Sequence, residues 1–200
     1  TPLARRRPWI VARQLAALDL LTAGRMVLGV GLGLDDSGKE LSTFGEELDA
    51  SERASMLEEA LDVVHGLLSG ETFYYQGRHY TVEGATFRPT PVQSPLPTWV
   101  GARWPHRRPL RRAARFQGVF AINVPTPEVA QQLCSLMQAL RGEAESGPFD
   151  VVLAPEPAPG SPPQQWADAG VTWLLTPFSQ FGTRPEDVLR VADAGPPALL

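Results

Sequence analysis

Apolar residues recur at two different periods along this chain, and the alternation between them outlines its architecture. From Pro8 to Leu21 they fall at Val11, Leu15 and Leu18, with Ala12 and Ala16 beside them, which predicts a helix. Pro8 suits its first turn, and Gly24 is a plausible stop. Ser51 to Leu68 predicts a second helix, in which Leu57, Leu61, Val64 and Leu68 form one stripe; Glu58, Glu59 and Asp62 lie off it, and Gly70 closes it. Between the two, Met26 to Val30 is apolar on both faces, as a buried parallel strand would be. The glycine- and acid-rich segment from Asp35 to Ala50 reads as a loop.

Beyond the second helix, aromatic and β-branched residues flank Gln76-Gly77 in ETFYYQGRHYTVEG, a hairpin pattern. A proline-rich bridge then leads to a strand over Thr98 to Val100. Pro109 opens a helical stretch with Arg111, Arg112 and Arg115, and Gly118 to Ile122 is a further apolar strand. Thr126-Pro127-Glu128 starts a helix with Val129, Leu133, Leu136, Met137 and Leu140 inside. Phe149 to Leu153 and Val171 to Leu175 read as strands. Capping boxes at Ser161-Pro162-Pro163-Gln164 and Thr183-Arg184-Pro185-Glu186 open two short helices, the first ending at Gly170. Five strands alternating with about five helices predict an α/β fold with a parallel sheet, doubly wound or barrel.

Composition narrows the classes. Two hundred residues, 43% hydrophobic and 20% charged, fit one domain over 1–200 with a real core. A net charge of −4 provides no global field for nucleic acid. The longest apolar runs are too short to cross a bilayer, which argues against a membrane partner. Cys134 is the single cysteine, so no internal disulfide forms, and a reducing cytoplasm is the expected location. The chain begins at Thr1, not Met, which suggests cleavage or the later part of a longer design.

Candidate chemistry concentrates in TWVGARWPHRRPLRRAAR, residues 98–115. A strand that ends in Gly101 and Arg103 ahead of a helix start suits a phosphate, because free N–H groups, close backbone approach and guanidinium forks converge there. Structural salt bridging by the same arginines is the competing reading. A nucleic-acid patch is a third, since Arg108, Arg111, Arg112 and Arg115 cluster on one side at helical spacing; interleaved aromatics are few, Trp104 and Phe116.

Other candidates weigh less. Gly29, Gly31 and Gly33 resemble a dinucleotide fingerprint, but its third glycine belongs at Leu34 and no helix follows. His65 and His79 read as structural, while His106 sits where a ligand would pass. Three scattered histidines and one cysteine give no metal-ligand spacing. Cys134 reads as a half-buried small hydrophobe. Phe44, Trp104, Phe178 and Phe181 either wall a flat ring or pack a barrel mouth, and Glu156 is either a polar pocket residue or an exposed loop acid.

Several segments, in this order and spacing, resemble the bacterial-luciferase-like flavin and deazaflavin oxidoreductases. They are TPLARRRPW at 1–9, LDLLTAGRMVLGVGLG at 18–33, Phe44-Gly45, LEEALDVVHGLLSGETFYYQGRHY at 57–80, PTPVQSPLPTWVGA at 89–102 and LRRAARFQGVF at 110–120. The resemblance implies a (β/α)8 TIM-barrel type, incomplete, lacking about the first three strands, with this chain supplying strands four to eight and the end of strand three. In such barrels function sits at the C-terminal strand ends, here Gly31 to Gly33, Gly101 to Arg103, Asn123 and Glu156.

By the resemblance, Gly101, Ala102, Arg103 and Arg108 would anchor the phosphate of a cofactor, Gly31 and Gly33 would line its floor, and Phe44 and Trp104 would wall a substrate pocket. Many members that use flavin mononucleotide (FMN) carry an arginine at the place of Leu32, so leucine there tilts the expectation to coenzyme F420 over FMN. Members often have a second glycine where this chain has Ala102, and Asp where it has Gln117. Acid/base groups come largely from the absent first strands, so no catalytic residue is assigned. The implied activity is oxidation or monooxygenation of a small organic substrate by a homodimer. The alternative is a non-catalytic remnant, serving as a ligand-binding or assembly subunit whose exposed sheet edges a partner covers.

Overall fold

A computed structural model describes residues 1–36, 38–142, 147–154, 162–178 and 182–195. They form two compact units, Thr1–Gly101 and Ala102–Leu200.

The first unit starts with a 3-10 turn at Leu3–Arg5, followed by α1 (Pro8–Leu21), β1 (Leu28–Val30), a second 3-10 turn at Ser42–Phe44 and α2 (Ala50–Leu68). A hairpin of β2 (Phe73–Gln76) and β3 (Thr81–Ala85) precedes β4 (Thr98–Arg103), whose last two residues belong to the second unit. β1 and β4 run parallel, with Leu28 opposite Thr98 and Val30 opposite Val100. These four side chains are buried, and His65 of α2 meets Thr98 Oγ1 at 3.1 Å on that face. Pro8 does open α1, while Asp49 caps α2 by accepting from the N–H groups of Ser51 and Glu52 at 2.9 and 2.8 Å.

β1 is shorter than the predicted Met26 to Val30. The Met26 N–H donates to Asp19 and its carbonyl accepts from Gln93 Nε2, so its backbone is engaged outside the ladder. Asp19 is fully buried, and its carboxylate also accepts from the Gln93 N–H at 2.9 Å and its side-chain amide at 2.8 Å. The expected hairpin is present, but its connection is longer than Gln76-Gly77. The Glu59 carboxylate of α2 fills it, accepting from the N–H groups of Arg78, His79 and Tyr80 at 2.9, 2.8 and 3.2 Å. Gly77 is required for that approach, because a Cβ there would collide with Glu59 Oε2.

The second unit continues from the end of β4 through α3 (Arg107–Ala113), β5 (Gly118–Ile122), α4 (Pro127–Arg141) and β6 (Asp150–Leu153) to α5 (Pro163–Asp168), β7 (Trp173–Leu174) and α6 (Pro185–Ala194). β5, β6 and β7 are parallel, with Val119 opposite Val151 and Val152 opposite Trp173. Val119, Ala121, Val151 and Leu153 share a core with Leu110, Leu133, Met137 and Trp166. Thr126 caps α4 as expected, its hydroxyl accepting from the Val129 N–H at 3.4 Å. Cys134, and not Leu136 or Leu140, is among the buried residues of that helix.

Three expectations need correction here. α3 begins at Arg107, so Pro109 is its third residue; the first turn has N–H groups without intrahelical acceptors, and a proline there forfeits no bond. α6 is capped at Arg184 without a side-chain bond, so Thr183 is not its cap. β7 covers two residues of the predicted five, because the Thr172 hydroxyl accepts from the Val151 N–H and donates to Asp150 Oδ1. Ser161, Glu156 and Phe181 lie outside the described residues.

Candidate cofactor site

In the first unit the candidate residues gather where β1 and β4 end. Thr1 and Pro2 run parallel to β1, the Thr1 ammonium donating to Gly29 O at 2.6 Å and the Gly31 N–H to Thr1 O at 3.2 Å. Gly29 and Gly31 have no atom within 4 Å of where a Cβ would stand, so this face is open. Gly101 lies beside it: a Cβ there would sit 3.1 Å from Val30 O and 3.7 Å from Gly31 Cα. Gly31 and Gly101 are therefore brought together. Gly33 has a different reason to be glycine, a φ of +74° with Pro2 Cβ 3.0 Å from its missing side chain.

The loop after β1 is pinned at several points. Asp35 accepts from the N–H groups of Leu41 and Ser42 at 2.8 and 2.9 Å, Leu41 is buried, and Arg5 pairs with Glu40 at 2.8 Å. Arg53 of α2 donates to the carbonyls of Glu47 and Leu48. Phe44 stands on this fixed loop with 76% of its surface exposed, unlike a buried pocket wall.

In the second unit, Ala102 is buried and Arg103 is exposed at the end of β4. Trp104 is half-buried, and its peptide is held on both sides: its N–H donates to Ile122 O at 3.0 Å, and its carbonyl accepts from Asn123 Nδ2 at 2.9 Å. The His106 N–H returns to Arg103 O at 2.8 Å, closing a turn. The His106 ring is exposed ahead of α3 and makes no side-chain cap bond.

The arginines separate by burial and pairing, with Arg115 lying over the Phe116 ring. Arg112 is 8% exposed and turns inward beside Leu110 and Ala113, so the expected one-sided cluster of four loses a member. Arg103, Arg107, Arg108 and Arg111 are exposed and have no acidic partner among the described residues. Structural salt bridging therefore does not account for these four. α3 has seven residues, so its dipole is short and the guanidinium charges are what an anion would meet.

The remaining candidates are accounted for by packing. Burial lowers the pKa of His65, which faces Thr98, and His79 Nε2 lies 3.1 Å from Ser55 Oγ. Cys134 packs against Gly170, and burial pushes its thiol up to about 11, far from a reactive thiolate. Among the described residues no group of three or more His, Cys, Asp or Glu is placed to hold a metal ion, and no helix is long and apolar enough to cross a membrane. The resemblance places Asn123 at a functional strand end but gives it no specific role. Its signal is an asparagine directly after an apolar strand, where a left-handed residue is needed, and its φ is +65°.

Comparison with known proteins places this geometry in a family. The F420-dependent glucose-6-phosphate dehydrogenase of Microbacterium testaceum is 36% identical over 105 residues, 52% of this chain and 30% of that protein. A solved monooxygenase from Streptomyces bottropensis superposes with a TM-score of 0.65 at 22% identity, covering 76% of this chain and 46% of that one. The coenzyme F420 dependent tetrahydromethanopterin reductase of Methanopyrus kandleri gives a TM-score of 0.60 at 22% identity, over 76% and 47%. This chain thus spans less than half the length of these three relatives, and the solved structures support the fold alone, a TIM-barrel class represented in part. A family model described as luciferase-like monooxygenase matches residues 1–191, and the chain belongs to that family.

Proposed function

We propose that this chain is part of a single luciferase-like barrel domain that uses a phosphorylated flavin or deazaflavin, FMN or F420, to oxidise or oxygenate a small organic substrate. The observation that carries the reading is the pair of exposed, unpaired guanidinium groups of Arg103 and Arg108 just beyond a parallel strand end. They would hold the phosphate, with Ala102 beneath the turn. Trp104, half-buried, would face the substrate, as would Phe44 if its loop lies over a ligand. In the first unit the face at Gly31 would take a planar ring, since no atom lies within 4 Å of its missing Cβ, and Gly101 lies beside it. Gly33 would keep the adjoining turn. When bound, the ring supplies the redox chemistry, and these residues supply binding and orientation. By the resemblance, many FMN-using members carry an arginine at the place of Leu32, so leucine there favours F420 over FMN.

The test compares ligands with and without the phosphate: FMN against riboflavin, and F420 against its tail-less chromophore, titrated by fluorescence. Exposed charge pairs contribute about 0.2–1 kcal/mol and desolvated charged hydrogen bonds about 1.5–3 kcal/mol. Arg103→Ala should therefore weaken the phosphorylated ligands by roughly threefold to thirtyfold and leave the others unchanged. Equal loss for both kinds of ligand, or no saturable binding by the wild type, overturns the reading.

A homodimer has its own support. α1 buries Val11, Leu15 and Ala16 and exposes Ile10, Leu18 and Leu21, the last by 82%. Exposed apolar side chains of this kind, interrupted here by Arg13 and Gln14, commonly mark an interaction surface, so a second copy seated there is the arrangement we favour. The same surface would serve the alternative role, an assembly subunit without catalysis. We place the protein in the cytoplasm because its lone cysteine is buried and unpaired.

A further inference from the structure

We infer that Asn123 is a positioning residue that fixes the Arg103 turn from the end of β5. The inference rests on the phosphate seat proposed above and deepens it. The Trp104 peptide has its two polar groups bound by two consecutive residues, Ile122 O accepting its N–H and Asn123 Nδ2 donating to its carbonyl. The residue directly before it is Arg103, whose own carbonyl is taken by the His106 N–H. The backbone that roots the Arg103 guanidinium is thus tied on both sides, and one of the ties is a side chain.

The conformation of Asn123 adds a second argument. Its φ of +65° lies in the left-handed region, which costs a residue with a Cβ, and its side chain is exposed, so packing does not demand it. Glycine would hold that backbone at no steric cost. Asparagine does what glycine cannot, carrying an N–H donor to the Trp104 carbonyl. A cost accepted at a strand end, for one bond into a ligand turn, is the pattern expected of a residue kept for positioning.

The test is Asn123→Gly in the full chain, which keeps the left-handed backbone and removes the donor. The readout is the affinity ratio between phosphorylated and phosphate-free ligand, FMN to riboflavin and F420 to its tail-less chromophore. The variant should lower this ratio about twofold to tenfold, from the worth of one neutral hydrogen bond. Combined with Arg103→Ala, it should produce no further loss, because Asn123 acts through that arginine. Amide hydrogen exchange at Trp104 and His106 should speed up while the β5 amides stay protected. An unchanged ratio alongside a weakened Arg103→Ala overturns the positioning role alone. Additive losses overturn it too, since they would make the two residues independent. An Arg103→Ala variant with the wild-type ratio, or a wild type that binds neither pair, removes the seat itself and this inference with it.

Discussion

Gly31 and Gly33 are two residues apart, yet the structure assigns them opposite sensitivities. A methyl group at Gly31 would meet nothing within 4 Å, and its backbone is in an ordinary region. Gly31→Ala should therefore stabilise the fold by about 0.4–1 kcal/mol, through loss of unfolded-chain entropy. At Gly33 the same methyl group forces a left-handed alanine, costing about 1–2 kcal/mol, and presses on Pro2 Cβ at 3.0 Å. The two variants should differ by roughly 1.5–3 kcal/mol. Urea unfolding followed by circular dichroism reads this as a shift of midpoint at equal slope. The ligand arm should invert the order. Gly31→Leu fills the open face and should weaken FMN or F420 by about tenfold or more, or 1.4 kcal/mol. Folded Gly33→Ala should bind nearly as the wild type does. If Gly31→Leu kept full affinity, the glycine face would not be a cofactor floor. If Gly31→Ala and Gly33→Ala were equally destabilised, the open space at Gly31 would be wrong.

Two further outcomes test the frame around the site. Burial pushes the Asp19 carboxyl upward, but hydrogen bonds from Gln93, Met26 and Val92 overcome that and leave it below the usual carboxylate range. A depressed folded pKa contributes stability above the unfolded value of about 3.9 and loses it as pH falls through the folded value. Asp19→Asn should thus cost about 1–3 kcal/mol at pH 7, and its gap from the wild type should narrow below about pH 4; an equal gap at pH 7 and pH 3 would refute the assignment. Leu21→Asp should leave the unfolding midpoint nearly unchanged while shifting the mass seen by light scattering from dimer to monomer, whereas a wild type that is monomeric at high concentration removes the α1 interface.

The helices were legible because their burial is periodic. The stripe Leu57, Leu61, Val64 and Leu68 is buried, and the acids beside it are less so. Strand ends were less legible because side chains from distant segments decide where a ladder stops. Asp19 and Gln93 take the Met26 backbone, and the Thr172 hydroxyl takes the Val151 N–H. Neither competition follows from local pattern. The arginine segment shows the same limit. Spacing on an ideal helix groups Arg108, Arg111, Arg112 and Arg115, but the buried partners Leu110 and Ala113 fix the rotation of α3, and that rotation buries Arg112. What remained readable was chemical type, glycines at 31 and 101 and arginines at 103 and 108; that Gly31 faces open space and that these arginines have no acidic partner among the described residues came from the structure.

That distinction also determines what kind of anion seat the proposed turn would be. A site at the start of a long helix would draw on aligned peptide dipoles and converging N–H groups. Here α3 has seven residues, and the cationic groups are exposed side chains. Their attraction acts through solvent and is screened beyond about 8 Å at physiological ionic strength. Such a seat would orient a phosphate more than bind one, and most of the affinity would have to come from burial of the ring. The clamp on the Trp104 peptide fits that division. Mobile guanidinium groups select a direction only when the backbone beneath them is fixed, and Ile122 O and Asn123 Nδ2 fix it. Precision in this turn comes from β5 and charge from β4 and α3, so the two can be separated by mutation.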